Sequence, residues 1–155
     1  MVYDFKTRRR VEFAETDMAG IMHFSNYFRY MESAEHEFFR SLGMSVHSDA
    51  EARGWARVDV HCTYRRPLRY QDLVQLHVIV QSIGERSMEF VVMFDKVVTV
   101  AAGAAEATET VARGTMTTVC VTRGADGALR SVSVPPEVTA RIEAAPVDQL
   151  RELVV

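Results

Sequence analysis

The chain has 155 residues, of which 48% are apolar and 25% charged, and its formal net charge is −3. These proportions suit one globular domain that buries about 70% of its unfolded surface. No run of about eighteen apolar residues occurs to cross a membrane, and the acidic balance gives no support to a nucleic-acid partner.

The opening segment from Met1 to Arg10 is polar and basic and no apolar segment follows it, so it does not read as a secretory signal. Its basic cluster, Lys6 with Arg8, Arg9 and Arg10, is expected on the solvated edge of a strand near residues 5–13. A helical pattern follows Ser25, with Tyr27, Met31, Ala34 and Phe38 at period 3.6 and Phe28, Phe39 and Leu42 beside them. Ser25 is the expected N-cap, Gly43 the stop, and Arg40 the cation near the negative end of the dipole, which predicts one long helix over 25–42.

Beyond Gly54 the period becomes two. Ala56, Val58, Val60, Cys62 and Tyr64 alternate with Arg57, Asp59, His61 and Thr63, the pattern of a half-buried strand. Pro67 and Tyr70-Gln71-Asp72 end it, and Val74, Leu76, Val78 and Val80 mark a second strand. After a turn at residues 83–87, Met88 to Val100 is apolar on both sides in its middle and is expected to be central. Ala101 to Ala107 reads as a loop, and Thr108 to Thr122 as a long strand with a bend expected at Gly114. Gly124 to Gly127 is a turn. Pro135-Pro136 begins a C-terminal extension with a short helix within 135–150, where Val138, Ile142 and Leu150 are expected to face the body. The expectation is an α+β chain, residues 1–155 as one domain with a core of about 5–123, built from an antiparallel sheet of five to six strands against one long helix. Cys62 and Cys120 lie in strand patterns with no zinc-type spacing. They are expected to be buried core thiols in a reducing, cytoplasmic setting, with no metal site.

The stretch from Glu15 to Tyr27 carries the chemistry. It is a loop that runs into a helix N-terminus, where free backbone N–H groups and a partial positive charge can polarise a carbonyl. Asp17 stands a few residues before that terminus, on a loop expected to be kept flexible by Gly20. A carboxylate there can attack a polarised carbonyl or deprotonate a water. No G-x-S-x-G elbow is present, which argues against an α/β-hydrolase, and no G-x-x-x-x-G-K-[ST] phosphate loop is present either.

The pattern Thr16-Asp17, Gly20, His23-Phe24, Asn26-Tyr27 and Glu32 resembles the hot-dog acyl-CoA thioesterases of the 4-hydroxybenzoyl-CoA thioesterase type. The segments Arg66 to Asp72 and Gly84 to Ser87 are similar to later parts of that family, so the resemblance covers roughly residues 8–123. It implies a curved sheet around the long helix, active sites at a dimer interface with tetramers common, and no prosthetic group beyond the coenzyme A of the substrate. Asp17 would be the catalytic carboxylate and the backbone amide of Phe24 the carbonyl-polarising donor. The family often has an aromatic residue where His23 stands and Tyr or His where Phe24 stands. His23 is thus open to substrate contact or proton transfer. Gly20, Met22, Tyr27, Glu32 and Ser87 are candidates for lining the substrate site. Tyr27 also reads simply as core, Glu32 as a hydrogen-bonding group and Asn26 as local structure. Arg65, Arg66, Arg69, Arg86 and Arg123 are candidates for CoA phosphates; His36, His47, His61 and His77 read as surface or strand-face residues. Hydrolysis of an acyl-CoA or acyl-carrier-protein thioester is the expected activity, with a homodimer or homotetramer as the assembly. The alternatives are a dehydratase or hydratase on the same fold and a non-catalytic acyl-CoA-binding domain.

Overall fold

The computed structural model describes residues 1–99 and 101–153. Strand β1 (Asp4–Arg10) leads through a 3-10 turn (Phe13–Glu15) to the long helix α1 (Asn26–Ser41). Strands β2 (Arg53–Tyr64), β3 (Leu73–Ile83), β4 (Ser87–Val98) and β5 (Ala107–Arg123) follow, then a short β6 (Leu129–Ser131). All pairings are antiparallel and the sheet order is β1-β3-β4-β5-β2, with β6 on the edge of β5 that β4 vacates. The strand expected to be central, β4, is so, flanked by β3 and β5; its expected last residue, Val100, lies outside the described residues.

The sheet curves around α1. The helix buries Tyr27, Tyr30, Met31, Ala34, Phe38 and Phe39 against Leu76 and Val78 of β3, Phe90, Val92 and Phe94 of β4 and Met116 of β5. Each Phe, Met, Leu or Val side chain in this set contributes on the order of 1.5–3 kcal/mol by leaving water. At its C-terminal end α1 stops as the sequence predicts. Gly43 has φ +72°, its N–H donates to Arg40 O (3.0 Å), and Met44 N–H donates to Phe39 O (3.0 Å), a Schellman pair. At the N-terminal end the expected cap is absent. Ser25 is already in the right-handed helical region and makes no side-chain cap, its hydroxyl instead meeting His23 Nδ1 at 2.8 Å.

Strand β2 departs from the predicted alternation. A bulge between Arg57 and Asp59 shifts the register by one residue. Before it, Trp55 packs on Phe39 and Arg57 pairs with Glu35 of α1; after it, Cys62 packs on the core and Tyr64 packs on Tyr27. A single pleat parity could not have placed both sets on the helix side. Cys62 is therefore half-buried, while Cys120 is fully buried.

The bend expected at Gly114 is not there, because Gly114 pairs in register with both Cys62 and Val92. The irregularity of β5 falls opposite Phe94 and Asp95 instead. Gly114 serves close approach: a Cβ there would lie 2.5 Å from the sulfur of Met31. The single C-terminal helix expected within 135–150 is two pieces, α2 (Pro136–Thr139) and α3 (Val147–Arg151). Pro146 cannot continue a helix, and before it Ala145 N–H donates to Val80 O (2.8 Å) on the sheet. Val138 and Ile142 join the main core, and Leu150 packs with Ile79, Val91 and Met93 on the outer face.

Candidate active site

The residues between β1 and α1 form a closed loop. Thr16 and Met22 make an antiparallel bridge, Asp17 N–H donates to Ile21 O (3.0 Å), and Gly20 N–H donates to Asp17 O (2.9 Å). Gly20, at φ +76°, closes this turn. The expected flexible loop is thus a hydrogen-bonded one. Met22 N–H anchors it to Leu68 O (2.7 Å), on the connection after β2.

Glu15 ties the loop to the helix, a role the sequence reading missed. Its carbonyl accepts from His23 N–H (2.9 Å) and from Asn26 Nδ2 (2.9 Å), which takes over the anchoring expected of Ser25. Its carboxylate accepts from Tyr30 Oη (2.6 Å) and from Glu12 N–H (2.9 Å). Burial and this carboxylate push the Tyr30 phenol up, while the Arg9 guanidinium, 4.1 Å over its ring, opposes them. An acid three residues after Glu12 was the only available sequence signal.

Asp17 is half-buried. One carboxylate oxygen, Oδ1, accepts from Ala19 N–H (2.8 Å), and Oδ2 has no partner among the described residues. The side chain borders a cleft of about 370 Å³ lined by Ile21, Met22, Phe24, Tyr27, Tyr64, Arg65, Arg66 and Pro67. That volume and its mix of aromatic walls and a few polar groups suit a small-molecule site. On its other side Asp17 borders an open groove with Phe13, Met18 and Tyr70, all exposed. The two peptides flanking Phe24 are pinned. His23 O accepts from Asn26 N–H (2.9 Å), and Phe24 O accepts from Tyr64 Oη (3.0 Å). The Phe24 N–H itself has no acceptor among the described residues, leaving a donor available just ahead of the α1 N-terminus.

Tyr27 is 3% exposed, and burial pushes its phenol up to about 12; its ring meets that of Tyr64 edge-on at 4.8 Å. Arg66 pairs with Glu109, whereas Arg65 has no ion pair among the described residues.

The structure therefore brings together Asp17, Met22, Phe24, Tyr27, Arg65 and Arg66, with Gly20 shaping the loop. It does not bring the other predicted residues to this cleft. Glu32 is exposed on α1 and faces Arg57, with Oε2 3.7 Å from its Nε. The His23 ring lies against the Phe24 ring (4.4 Å) and bonds Ser25, outside the cleft lining. Ser87, Arg86 and Arg123 sit at the far end of the sheet. Ser87 pairs with Val119 of β5 and Arg123 with Leu129, whereas Tyr64 at the cleft pairs with Ala112. The seven to eleven residues of β5 in between span on the order of 23–36 Å. There Arg86 donates to Ser131 Oγ (3.1 Å) and Arg123 to Gly127 O (3.0 Å).

A long helix wrapped by an antiparallel sheet, with a carboxylate loop at its N-terminus, defines a hot-dog fold. The structure matches that of 4-hydroxybenzoyl-CoA thioesterase from Pseudomonas sp. strain CBS-3 with a TM-score of 0.76 at 19% identity, covering 90% of this chain and 99% of that one. Residues 11–142 match the thioesterase-like superfamily, and the chain belongs to that family. It is 41% identical over 88 residues to an inferred esterase of Aquifex aeolicus (strain VF5), covering 56% of this chain and 68% of that protein. It is 34% identical over 74 residues to the inferred acyl-CoA thioesterase YneP of Bacillus subtilis (strain 168), covering 46% of this chain and 53% of that protein. Among the described residues no helix is long and apolar enough to cross a membrane.

Proposed function

We propose that this protein hydrolyses acyl-CoA thioesters, with Asp17 as the reacting carboxylate. The observation that carries the reading is the unpartnered Oδ2 of Asp17 bordering one cleft with Phe24, whose amide is likewise unspent. The thioester carbonyl oxygen accepts from the Phe24 N–H, which stabilises the negative charge that develops there. Asp17 then either attacks the carbonyl carbon, expelling CoA thiolate and leaving a mixed anhydride that water cleaves, or takes a proton from the attacking water. Single turnover in 18O-labelled water tests the anhydride route, since a label appears in Asp17 only when water cleaves an anhydride at the Asp17 carboxyl carbon. The similarity to the inferred acyl-CoA thioesterase YneP of Bacillus subtilis supports a CoA-linked substrate. The unpaired Arg65 at the cleft rim supplies a cation for its phosphates. The two free thiols, Cys62 and Cys120, agree with a reducing cytoplasm.

The working unit is a homodimer through β2. That strand is a sheet edge with Val58 and Val60 exposed at 62% and 46%. Pairing two copies antiparallel along this edge sets the Arg53 end of one β2, with Arg123 nearby, beside the Tyr64 end of the other. The far-end residues would then reach the cleft from the partner.

A thiol-release screen over aromatic, short-chain and fatty acyl-CoAs and acyl-carrier proteins tests the activity. Asp17→Asn is expected to lower kcat by at least about a thousandfold with an unchanged melting temperature. Near-normal turnover in that variant would remove Asp17 from the chemistry.

A further inference from the structure

We propose that Tyr64 is a positioning residue: its hydroxyl holds the Phe24–Ser25 peptide so that the adjacent Phe24 N–H is fixed toward the substrate carbonyl. This rests on the thioesterase reading of the same cleft. The Phe24 carbonyl lies one residue ahead of the helix N-cap, so the helical ladder does not use it. Tyr64 Oη donates to it at 3.0 Å from the end of β2, forty residues away in sequence. The other half of the same peptide, Ser25 N–H, meets His23 Nδ1 at 3.3 Å. The preceding peptide is held by Asn26 N–H on His23 O (2.9 Å). Both peptide planes around Phe24 are thus tied, while the N–H between them is left unspent.

The tyrosine is itself held. Its ring packs edge-on against Tyr27 at 4.8 Å, and Tyr27 is 3% exposed. Desolvation beside Cys62 and Tyr27 pushes the Tyr64 phenol up to about 12, so the hydroxyl remains a donor across the physiological range. The hydroxyl therefore joins the edge strand to the helix terminus at the cleft wall, and catalytic positioning is the consequence. A donor worth having in the transition state must already be aligned before reaction, because reorienting it then would cost what it gains.

Tyr64→Phe keeps the ring and removes the hydroxyl that donates to Phe24 O. The expected result is a kcat about tenfold lower (a tenfold change is about 1.4 kcal/mol), KM within about twofold, and an unchanged melting temperature. In the Asp17→Asn background, with a bound 13C-labelled thioester, the carbonyl stretch moves back toward its free-solution frequency when Tyr64→Phe is added. Tyr64→Trp, which fills the space without restoring the same donor, does not recover kcat. In the ligand-free protein, the Phe24 carbonyl 13C resonance shifts in Tyr64→Phe relative to wild type. Unchanged kcat, an equal rise in KM, an unmoved carbonyl stretch or an unmoved Phe24 resonance would each overturn the proposal. If wild-type protein releases no thiol from any thioester, the functional reading fails and takes catalytic positioning with it. The Phe24 resonance then still reports on whether the tether exists.

Discussion

Glu35 places a carboxylate at the bottom of the contact between α1 and the sheet, fully buried. One oxygen is bonded by Arg57 Nη2; the other, Oε1, has no hydrogen-bond partner among the described residues, and neither does the buried Arg57 Nε, which has only the Glu32 carboxylate 3.7 Å away. Desolvation pushes its pKa up to about 7, Glu32 adds to the rise, and Arg57 partly opposes it. A proton bound more tightly in the folded than in the unfolded chain stabilises the fold only while it is bound. That stability is complete below the unfolded value near 4.5 and is lost as pH rises through about 7. At about 1.4 kcal/mol per pH unit, the loss is on the order of 3 kcal/mol. Glu35→Gln keeps an acceptor for Arg57 and cannot titrate. Denaturant midpoints at pH 5 and pH 8 should therefore show the variant gaining on wild type by roughly that amount at the higher pH. An identical gap at both pH values would mean that Glu35 is already ionised at pH 5.

At the scale of elements, what could be read from the chain depended on whether a single period governed each segment. The α1 stripe, its Gly43 stop and the central place of β4 were all legible because each follows from one repeat or one residue type. Strand β2 was not, because the bulge at Val58 changes its parity halfway. Only the side chains of α1 that meet it, Phe39 and Glu35 before and Tyr27 after, make that change visible. The site was legible in the same uneven way. Asp17 stood out by its distance from a helix start, whereas Glu15 and Tyr64 act across the fold and have no local signature. Arg86 and Arg123, read as strand-end arginines, stand at the end of the sheet away from their own chain's cleft, since sequence order does not say which ends adjoin. Gly114 illustrates the ambiguity of a strand glycine, which can mark a bend or a close approach. With the Met31 sulfur where a Cβ would go, Gly114→Val should cost about 1–3 kcal/mol of stability as Met31 is forced from its place in a fully packed core. A chemical-denaturation series with Met31→Ala as second variant tests the pairing. The cost should shrink in the double variant, where the side chain no longer competes for the space.

For the whole molecule, the proposed homodimer implies that one protomer holds half a site. The cleft beside Asp17 has its apolar walls and Arg65, yet the exposed Phe13, Met18, Phe24 and Tyr70 around it form an uncovered patch, and Arg123 lies at the opposite end of β5. Antiparallel pairing of two β2 edges covers the strand and brings the two ends together by symmetry. This arrangement makes a prediction that no single-chain site would meet. Asp17→Asn and Arg123→Ala, each weakly active alone, are mixed under conditions that exchange subunits. In a heterodimer one cleft then combines an intact Asp17 from one chain with an intact Arg123 from the other. Activity should rise above the sum of the two variants, toward about a quarter of wild type for a statistical mixture. Val58→Asp, at a position 62% exposed in one protomer, should leave the fold within about 0.5 kcal/mol of wild type. The same change would place two carboxylates near the two-fold axis and shift the protein to a monomer by sedimentation, with loss of turnover. A fully active monomer, or mixtures that only add, would locate the whole site within one chain.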